Sequence, residues 1–193
     1  MFPEFESYIK EQANLSDDDI ELMRATAVEK TLRRKEVLVR EGEVCRYKIF
    51  VTKGLLRAYT TREEGSEHIV HFSPENSWFT DPESFANSTP TSYTIDALEH
   101  SEVILWTKND LRYLVDNIPG LKAYFDKLIY RGGNSLRNRL LTAIGSTAEE
   151  KYEEFKRNHS DIHSRVPLHM VASYLGVTRE TLSRIRRSYL IKK

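Results

Sequence analysis

Residues 166–187, with the sequence VPLHMVASYLGVTRETLSRIRR, constrain the fold more than any other segment. Ala172 is small enough to let two helices cross closely, and Gly176, four positions later, tolerates the positive φ of a tight turn. Leu182 and Ile185 follow on one helical face, where they can pack against the first helix. This spacing predicts a helix-turn-helix whose second helix begins soon after the glycine.

The opposite face of the second helix carries side chains that can read the edges of DNA bases. Arginine can donate two hydrogen bonds to guanine, and glutamate can accept one from cytosine. The predicted DNA-contacting residues are Thr178, which also caps the helix, Arg179, Glu180, Thr181, Ser183, Arg184 and Arg187. Glu180 and Arg184 are four residues apart, so an ordinary amphipathic helix with a surface ion pair is the alternative. The core spacing combined with the basic face favours the DNA-binding interpretation.

The charge distribution supports contact with a polyanion, although the chain is neutral overall with 29 basic and 29 acidic residues. Between Ser164 and Lys193 there are seven arginines and lysines and a single acid, Glu180. A basic end on a neutral chain is typical of local nucleic-acid contact. A solvated basic tail is the alternative.

Short alternating runs between Lys35 and Trp106 predict an antiparallel β-roll or barrel. Lys53–Gly54 has the composition of a hairpin turn. Ser16, followed by three aspartates, predicts an N-cap and a helix that reaches about Lys30. The predicted strands lie at 37–39, 47–52, 55–61, 68–72, 92–98 and 103–106.

A helical pattern resumes at Thr107, and Pro119 suits the first turn of a long helix that reaches about Ile144. An apolar seam spaced close to 3.5 residues predicts helix pairing between two copies of the chain. The predicted dimer interface consists of Leu121, Phe125, Leu128, Gly132 and Leu136. The Gly132–Gly133 pair favours close approach of a partner helix, and a kink or a helix break is the alternative.

The segment ASYLGVTRETLSRIRR resembles the recognition segment of the Crp/Fnr family of bacterial regulators. Residues 39–59, VREGEVCRYKIFVTKGLLRAY, are similar to the first hairpin of that family's cyclic-nucleotide-binding roll. The resemblance implies an α+β chain: a jelly-roll sensor with an N-terminal helix at 1–118, a dimerisation helix at 119–144 and a helix-turn-helix domain at 145–193.

The same resemblance implies a cytoplasmic homodimer that regulates transcription by binding pseudo-palindromic double-stranded DNA. Arg179, Glu180 and Arg184 correspond to the family's base-reading residues. The loop at 158–164 stands where the family's RNA-polymerase-contacting surface lies. The two-stranded wing that usually follows the recognition helix is expected to be mostly absent, because only Ser188–Lys193 remain.

The residues that would hold a cyclic nucleotide depart from the family pattern. Members that bind one use a Gly-Glu pair and, later, an Arg-Ser or Arg-Thr pair, whereas the matching stretches here are 78–81 and 90–92. No arginine stands near position 91 to pair with a cyclic phosphate. We expect no useful affinity for cyclic AMP unless Arg57 or Arg62 substitutes. A different small-molecule effector is possible, in a pocket formed by Thr80, Asp81, Phe85, Thr91 and Ser92.

The rival interpretation is a cupin-like enzyme or small-molecule-binding module with a helical appendage. Such a protein would need metal ligands that converge on one site. His68 and His71 are three residues apart on a strand and point to opposite faces, so they cannot both join Asp81 and Glu83 in a metal site. The aromatic residues Trp78, Phe79, Phe85 and Tyr93 are as compatible with core packing as with a pocket. We predict no catalytic residues, no metal and no cofactor.

The single cysteine and the hydropathy pattern set the remaining expectations. Cys45 cannot form an internal disulfide, and a redox-sensing role beside Arg46 is the alternative to an inert thiol. No apolar run is long enough to cross a membrane, and the N-terminus does not resemble a signal peptide.

Overall fold

The computed structural model describes residues 1–191, with side chains described through Tyr189. The chain forms two compact units. Unit 1 comprises Met1–Ala58 and Phe72–Tyr130, and unit 2 comprises Tyr59–His71 and Arg131–Lys193. None of the described helices is long and apolar enough to span a lipid bilayer.

The helices lie at both ends of the chain, with one short helix between the strands. They are α1 (Phe2–Gln12), α2 (Asp17–Ala25), α3 (Pro82–Asn87), α4 (Lys108–Asn117), α5 (Pro119–Gly145), α6 (Ala148–Asn158), α7 (Ser160–His163), α8 (Leu168–Leu175) and α9 (Arg179–Ile191).

The described strands form two four-stranded sheets, and all of them except β1 lie in or within one residue of the predicted β region, 35–106. They are β1 (Val28–Leu32), β2 (Val37–Val39), β3 (Tyr47–Lys53), β4 (Leu56–Thr61), β5 (Glu67–Ser73), β6 (Ser77–Phe79), β7 (Thr94–Ala97) and β8 (Ser101–Thr107). The sheet orders are β1-β8-β3-β6 and β2-β7-β4-β5, and the registered pairs of β1, β2, β3 and β6 are antiparallel. This arrangement confirms the predicted α+β fold with an N-terminal antiparallel roll.

An aromatic cluster forms much of the core of unit 1. The Phe5 ring of α1 lies 4.8 Å from Phe50 and 5.1 Å from Trp106, measured between ring centroids. The hydroxyl of Tyr124, on α5, accepts a hydrogen bond from Trp78 Nε1 at 3.0 Å. The first half of α5 therefore belongs to this core, which explains why unit 1 extends to Tyr130 rather than ending at the predicted boundary before Pro119.

Local signals located most helix ends, with one correction. Ser16 is the N-cap of α2, as predicted, and forms a capping box with Asp19, but α2 ends at Ala25 instead of Lys30 because Val28–Leu32 pair with β8. The α6 helix also begins with a capping box, formed by Thr147 and Glu150. The α5 helix runs unbroken through both glycines, which excludes the helix-break alternative.

Five elements were not predicted, namely α1, β1, β6, α3 and α7. The first four have weak local patterns, and each packs, pairs or hydrogen-bonds with residues distant in the chain. The segment from Ser188 to Ile191 continues α9. Lys192 and Lys193, counted above in the basic end, lie outside the described residues.

Candidate functional site

The helix-turn-helix in unit 2 has the geometry that its spacing predicted. Gly176 adopts φ +66 and ψ 34, the left-handed region, and ends α8. The Val177 amide donates to the Ala172 carbonyl at 3.0 Å, which closes the turn. Leu182 and Ile185 are almost fully buried, as is Ala172. The small core therefore fixes which face of α9 turns outward.

The outward face of α9, here called the reading face, consists of Arg179, Glu180, Ser183, Arg184 and Arg187. Its three arginines and Glu180 are exposed, and Ser183 is half-buried. Within the described residues, none of these arginines has a carboxylate within ion-pairing distance, so the predicted alternative of a Glu180–Arg184 ion pair is not formed. The guanidinium groups are available to an external anion.

Two residues of the predicted DNA-contacting set, Thr178 and Thr181, form hydrogen bonds at the N-terminus of α9. Thr178 Oγ1 accepts the Thr181 amide at 3.1 Å, and the two hydroxyl oxygens lie 3.0 Å apart. These contacts make Thr178 the N-cap of α9. Thr178 is exposed and Thr181 is half-buried.

The inner side of α9 lies beside two ionisable groups of α6 and α7. The Tyr152 hydroxyl is 2.8 Å from His163 Nε2. Burial lowers the pKa of His163, reinforced by the charges of Arg186 and Lys156. Arg186 is also exposed, but its charge acts on groups of α6 and α7, unlike the charges of the arginines of the reading face.

The β5 strand contacts α8 and α5 within unit 2. Ser173 Oγ accepts the Ile69 amide at 3.0 Å and donates to the Glu67 carbonyl at 3.0 Å. Arg139 donates to the Val70 carbonyl and stacks on the Tyr174 ring at 4.0 Å. Because β5 is an edge strand, these side chains satisfy backbone groups that a neighbouring strand would otherwise take. Sequence patterns had singled out neither Ser173 nor Arg139.

The predicted dimer seam on α5 is corrected by the structure. Leu121 is fully buried, Phe125 is nearly so, and Leu128 packs partly against the same core of its own chain. These side chains are already shielded from water, so a partner cannot gain by covering Leu121 and Phe125. Gly132 and Leu136 are exposed.

A different apolar stripe on α5 faces outward. It consists of Ile129, Gly133, Leu136, Leu140 and Ile144, spaced three or four residues apart. Its four large side chains are each more than half exposed, and nothing lies within 4 Å of a Cβ placed at Gly133. The exposed stripe shares Leu136 with the predicted seam but has Ile129 and Gly133 in place of Leu128 and Gly132, a difference that apolar spacing could not resolve.

Two residues of the predicted effector pocket, Asp81 and Thr91, are hydrogen-bonded to each other. Asp81 is buried: its Oδ1 accepts the Glu83 and Ser84 amides at the start of α3, and its Oδ2 accepts the Thr91 hydroxyl at 2.7 Å. The Thr80 hydroxyl donates to the Tyr47 carbonyl at 3.0 Å. The hydrogen bond between Asp81 and Thr91 therefore occupies both side chains and links the start of α3 to the segment before β7.

Residues of the predicted pocket border two separate depressions. Asp81 and Ser92 border an open depression of about 490 Å³, whereas Phe85 borders another of about 400 Å³, beside Cys45. Cys45 is fully buried, with Sγ 3.4 Å from Thr80 Oγ1. Among the aromatic candidates, Trp78 belongs to the core cluster described above.

Neither arginine considered as a substitute phosphate ligand is placed for that role. Arg57, on β4, donates Nε to Asp96 Oδ1 at 2.8 Å and Nη2 to Oδ2 at 2.9 Å, and both residues are buried. Arg62 is exposed at a turn, near Glu64. The buried pair commits Arg57 to a carboxylate of the roll itself.

The ligand groups weighed for a cupin-like site are also dispersed. His68 is half-buried on β5, His71 is exposed, and Asp81 is occupied in capping α3. Over residues 1–191, no group of three or more His, Cys, Asp or Glu side chains could hold a metal ion.

Comparisons with known proteins agree with this architecture. A family model for the cyclic nucleotide-binding domain matches residues 29–117, while a search of curated proteins finds no match. FixK2 from Bradyrhizobium japonicum is 20% identical, with 86% of this chain and 85% of that chain covered and a TM-score of 0.69. A CooA mutant from Carboxydothermus hydrogenoformans is 16% identical, with coverage of 93% and 82% and a TM-score of 0.74.

The Thermus thermophilus Catabolite Activator Protein is 18% identical, with 92% of this chain and 85% of that chain covered and a TM-score of 0.55. These similarities extend over both the roll and the C-terminal helices. Residues 29–117 are therefore similar to the cyclic nucleotide-binding domain, and the chain has the same fold as these solved proteins.

Proposed function

We propose that the chain is a Crp/Fnr-type transcription regulator that binds double-stranded DNA as a homodimer through α9. The reading face is the observation that carries this proposal. Its arginines project from a helix locked by Leu182 and Ile185, and no carboxylate of the described residues neutralises them. Free guanidinium groups on a rigid helix suit guanine edges in the major groove. Action on chromosomal DNA would take place in the cytoplasm, and no enzymatic step is part of this function.

The test is selection of bound duplexes from a random pool, followed by fluorescence anisotropy on the selected site. We expect a pseudo-palindromic sequence, because a two-fold symmetric dimer reads two half-sites. Arg184→Ala and Arg179→Ala should each cost about 1–3 kcal/mol, and each should relax base preference at one position per half-site.

Arg186→Ala is the matched control, since it removes the same charge from the same helix beside α6. Its effect should be smaller and equal on all sequences. If Arg184→Ala weakens binding equally on every duplex, its side chain contacts phosphate and the base-reading assignment is wrong. If no duplex is selected, the DNA-binding proposal itself fails.

The dimer would form along the exposed stripe of α5. Apolar side chains that are more than half exposed on a helix gain most from burial against a copy, and Gly133 allows close approach. Leu140→Glu should dissociate the dimer, because it places an unpaired charge in an apolar seam. Lys127→Glu, an exposed α5 position outside the stripe, is the control. Light scattering that shows an unchanged dimer for Leu140→Glu would locate the interface elsewhere.

We propose further that the roll does not bind cyclic AMP with useful affinity. A buried cyclic phosphate needs a cation and several donors. At the matching positions, Asp81 and Thr91 bond each other, and Arg57 is paired with Asp96. A saturable calorimetric isotherm with cyclic AMP, micromolar or tighter and with one site per chain, would contradict this. Another effector of the roll remains compatible with the fold.

The proposal extends to contact with RNA polymerase. The segment at 158–164, where the family resemblance places such contact, contains the short helix α7. Alanine substitutions at the exposed positions Ser160 and Asp161 should reduce transcription activation without changing DNA affinity. Unchanged activation would remove this surface from the proposal.

A further inference from the structure

Unit 2 contains a cavity that the proposed function does not use. Its volume is about 540 Å³, within the range of small-molecule sites, and its walls come from α5, α6, α8 and the end of β5. Every lining residue belongs to unit 2, so the cavity is separate from the predicted effector pocket of the roll.

One wall of this cavity is aromatic. The Phe155 ring lies 5.1 Å from His159 and 5.5 Å from Tyr174, and His159 meets Tyr174 edge to face at 5.9 Å. Burial lowers the pKa of His159, while Asp161 opposes the shift and Arg139 reinforces it. Phe155 is only 2% exposed and packs behind the wall, so the half-buried rings of His159 and Tyr174 are the ones that a planar ligand can contact.

The charged lining is mostly positive. Arg131, Arg139 and Lys151 border the cavity, and Glu154 is the one carboxylate among the lining residues. Glu154 Oε2 already accepts the Thr142 hydroxyl at 2.8 Å. The cavity therefore favours an anion over a cation.

Arg139 is held in place before any ligand arrives. Its guanidinium stacks on Tyr174 at 4.0 Å, and two of its N–H bonds point to the backbone carbonyls of Val70 and Tyr174. A guanidinium has five N–H bonds, so three remain without an acceptor in the described part of the chain. A fixed fork with free donors matches a carboxylate or phosphate group.

We propose that this cavity binds a small planar ring that carries one anionic group, either an aromatic carboxylate or a mononucleotide. The ring packs against His159 and Tyr174, with Phe155 behind them, and the anionic group pairs with Arg139 and Lys151. Because the ligand would touch α5, α6 and α8 together, it joins the long helix to the helix-turn-helix. The proposal does not depend on DNA binding.

Titration calorimetry of the full chain with salicylate, AMP and inorganic phosphate tests the proposal. We expect one saturable site per chain for salicylate or AMP, with Kd of about 1 mM or tighter. Inorganic phosphate, which lacks a ring, should bind at least about tenfold more weakly. The tighter of the two ring ligands identifies the source of the anionic group.

Arg139→Lys should lower the affinity for the ring ligand by about tenfold, because lysine keeps the positive charge but lacks the planar guanidinium group. Arg137→Lys is the matched control: Arg137 lies on the same helix, does not line the cavity and bonds Asn134. Lys151→Met, at a half-buried position, should also weaken binding and covers the case in which Arg139→Lys fails to fold.

Three results would overturn the proposal. They are the absence of saturable heat with both ring ligands at millimolar concentration, phosphate binding as tight as that of the ring ligands, and unchanged affinity in folded Arg139→Lys or Lys151→Met. Leu136 borders both the cavity and the exposed stripe of α5, so a partner helix filling the cavity would produce the first of these results.

Discussion

The buried Arg57–Asp96 pair offers a sharp test of how the roll is stabilised. Both side chains are at most 7% exposed, and two hydrogen bonds of 2.8 and 2.9 Å join them. Removing Asp96 takes both of these hydrogen bonds from a buried guanidinium, and breaking a buried pair in this way costs about 3–5 kcal/mol. Asp96→Leu should therefore remove a large share of a typical unfolding free energy of about 5–15 kcal/mol.

Urea denaturation followed by tryptophan fluorescence measures this loss directly. Both tryptophans of the chain, Trp78 and Trp106, lie in the same unit as the pair. With a slope of about 2 kcal/mol per molar urea, the midpoint should fall by about 2 M. The double variant Arg57→Met with Asp96→Leu should recover at least half of the loss, because it removes the buried charge as well.

The control is an arginine–aspartate ion pair that is exposed to solvent. Arg112 and Asp116 on α4 approach within 3.8 Å, but both are largely exposed, so Asp116→Ala should cost less than about 1 kcal/mol. If Asp96→Leu costs no more than Asp116→Ala, the pair does not stabilise the roll and our reasoning is refuted. A double variant less stable than Asp96→Leu would refute it equally.

Three further predictions address other parts of the chain. Gly54→Ala should lower the stability of unit 1 by about 1 kcal/mol more than Gly65→Ala lowers the stability of unit 2. Both glycines have positive φ, but only a Cβ at Gly54 would lie 2.6 Å from the His100 carbonyl oxygen. Leu182→Ala should cost about 2–5 kcal/mol and accelerate amide exchange in α8 and α9 while leaving tryptophan fluorescence unchanged. The pKa of His163 is lowered in the folded state, so its neutral form contributes stability above the unfolded pKa of about 6.5, and this stability is lost as the pH falls below that value. The melting temperature should therefore decline less between pH 7.5 and pH 5 in His163→Gln than in the unmodified protein. An equal decline would contradict this assignment.

The helix-turn-helix was predictable because its determinants are local. Ala172, Gly176, Leu182 and Ile185 lie within fourteen residues, and helical geometry alone brings them together. The same holds for the N-cap at Ser16 and for the positive φ of Gly54. The hairpin predicted at Lys53–Gly54 is wrong, however, because β3 and β4 lie in different sheets. The outward face of α9 follows from these contacts, so the candidate DNA-binding residues could be chosen from the sequence.

Only the tertiary structure decided which apolar face of α5 is already used. Leu121 and Phe125 have the spacing of a dimer seam, but they pack in a core that includes Phe5, more than a hundred residues away. Periodicity reports that a face is apolar and carries no information about which surface covers it.

The pairing of charged and polar groups across the roll was also invisible in the sequence. Arg57 meets Asp96 across 39 positions, and Asp81 meets Thr91 across ten, so Arg57 and Asp81 are committed to partners inside the protein. The cavity beside Arg139 likewise joins β5, α5, α6 and α8. Sequence patterns identify residues able to bind an anion, whereas the burial of long-range partners decides which of them are free to do so.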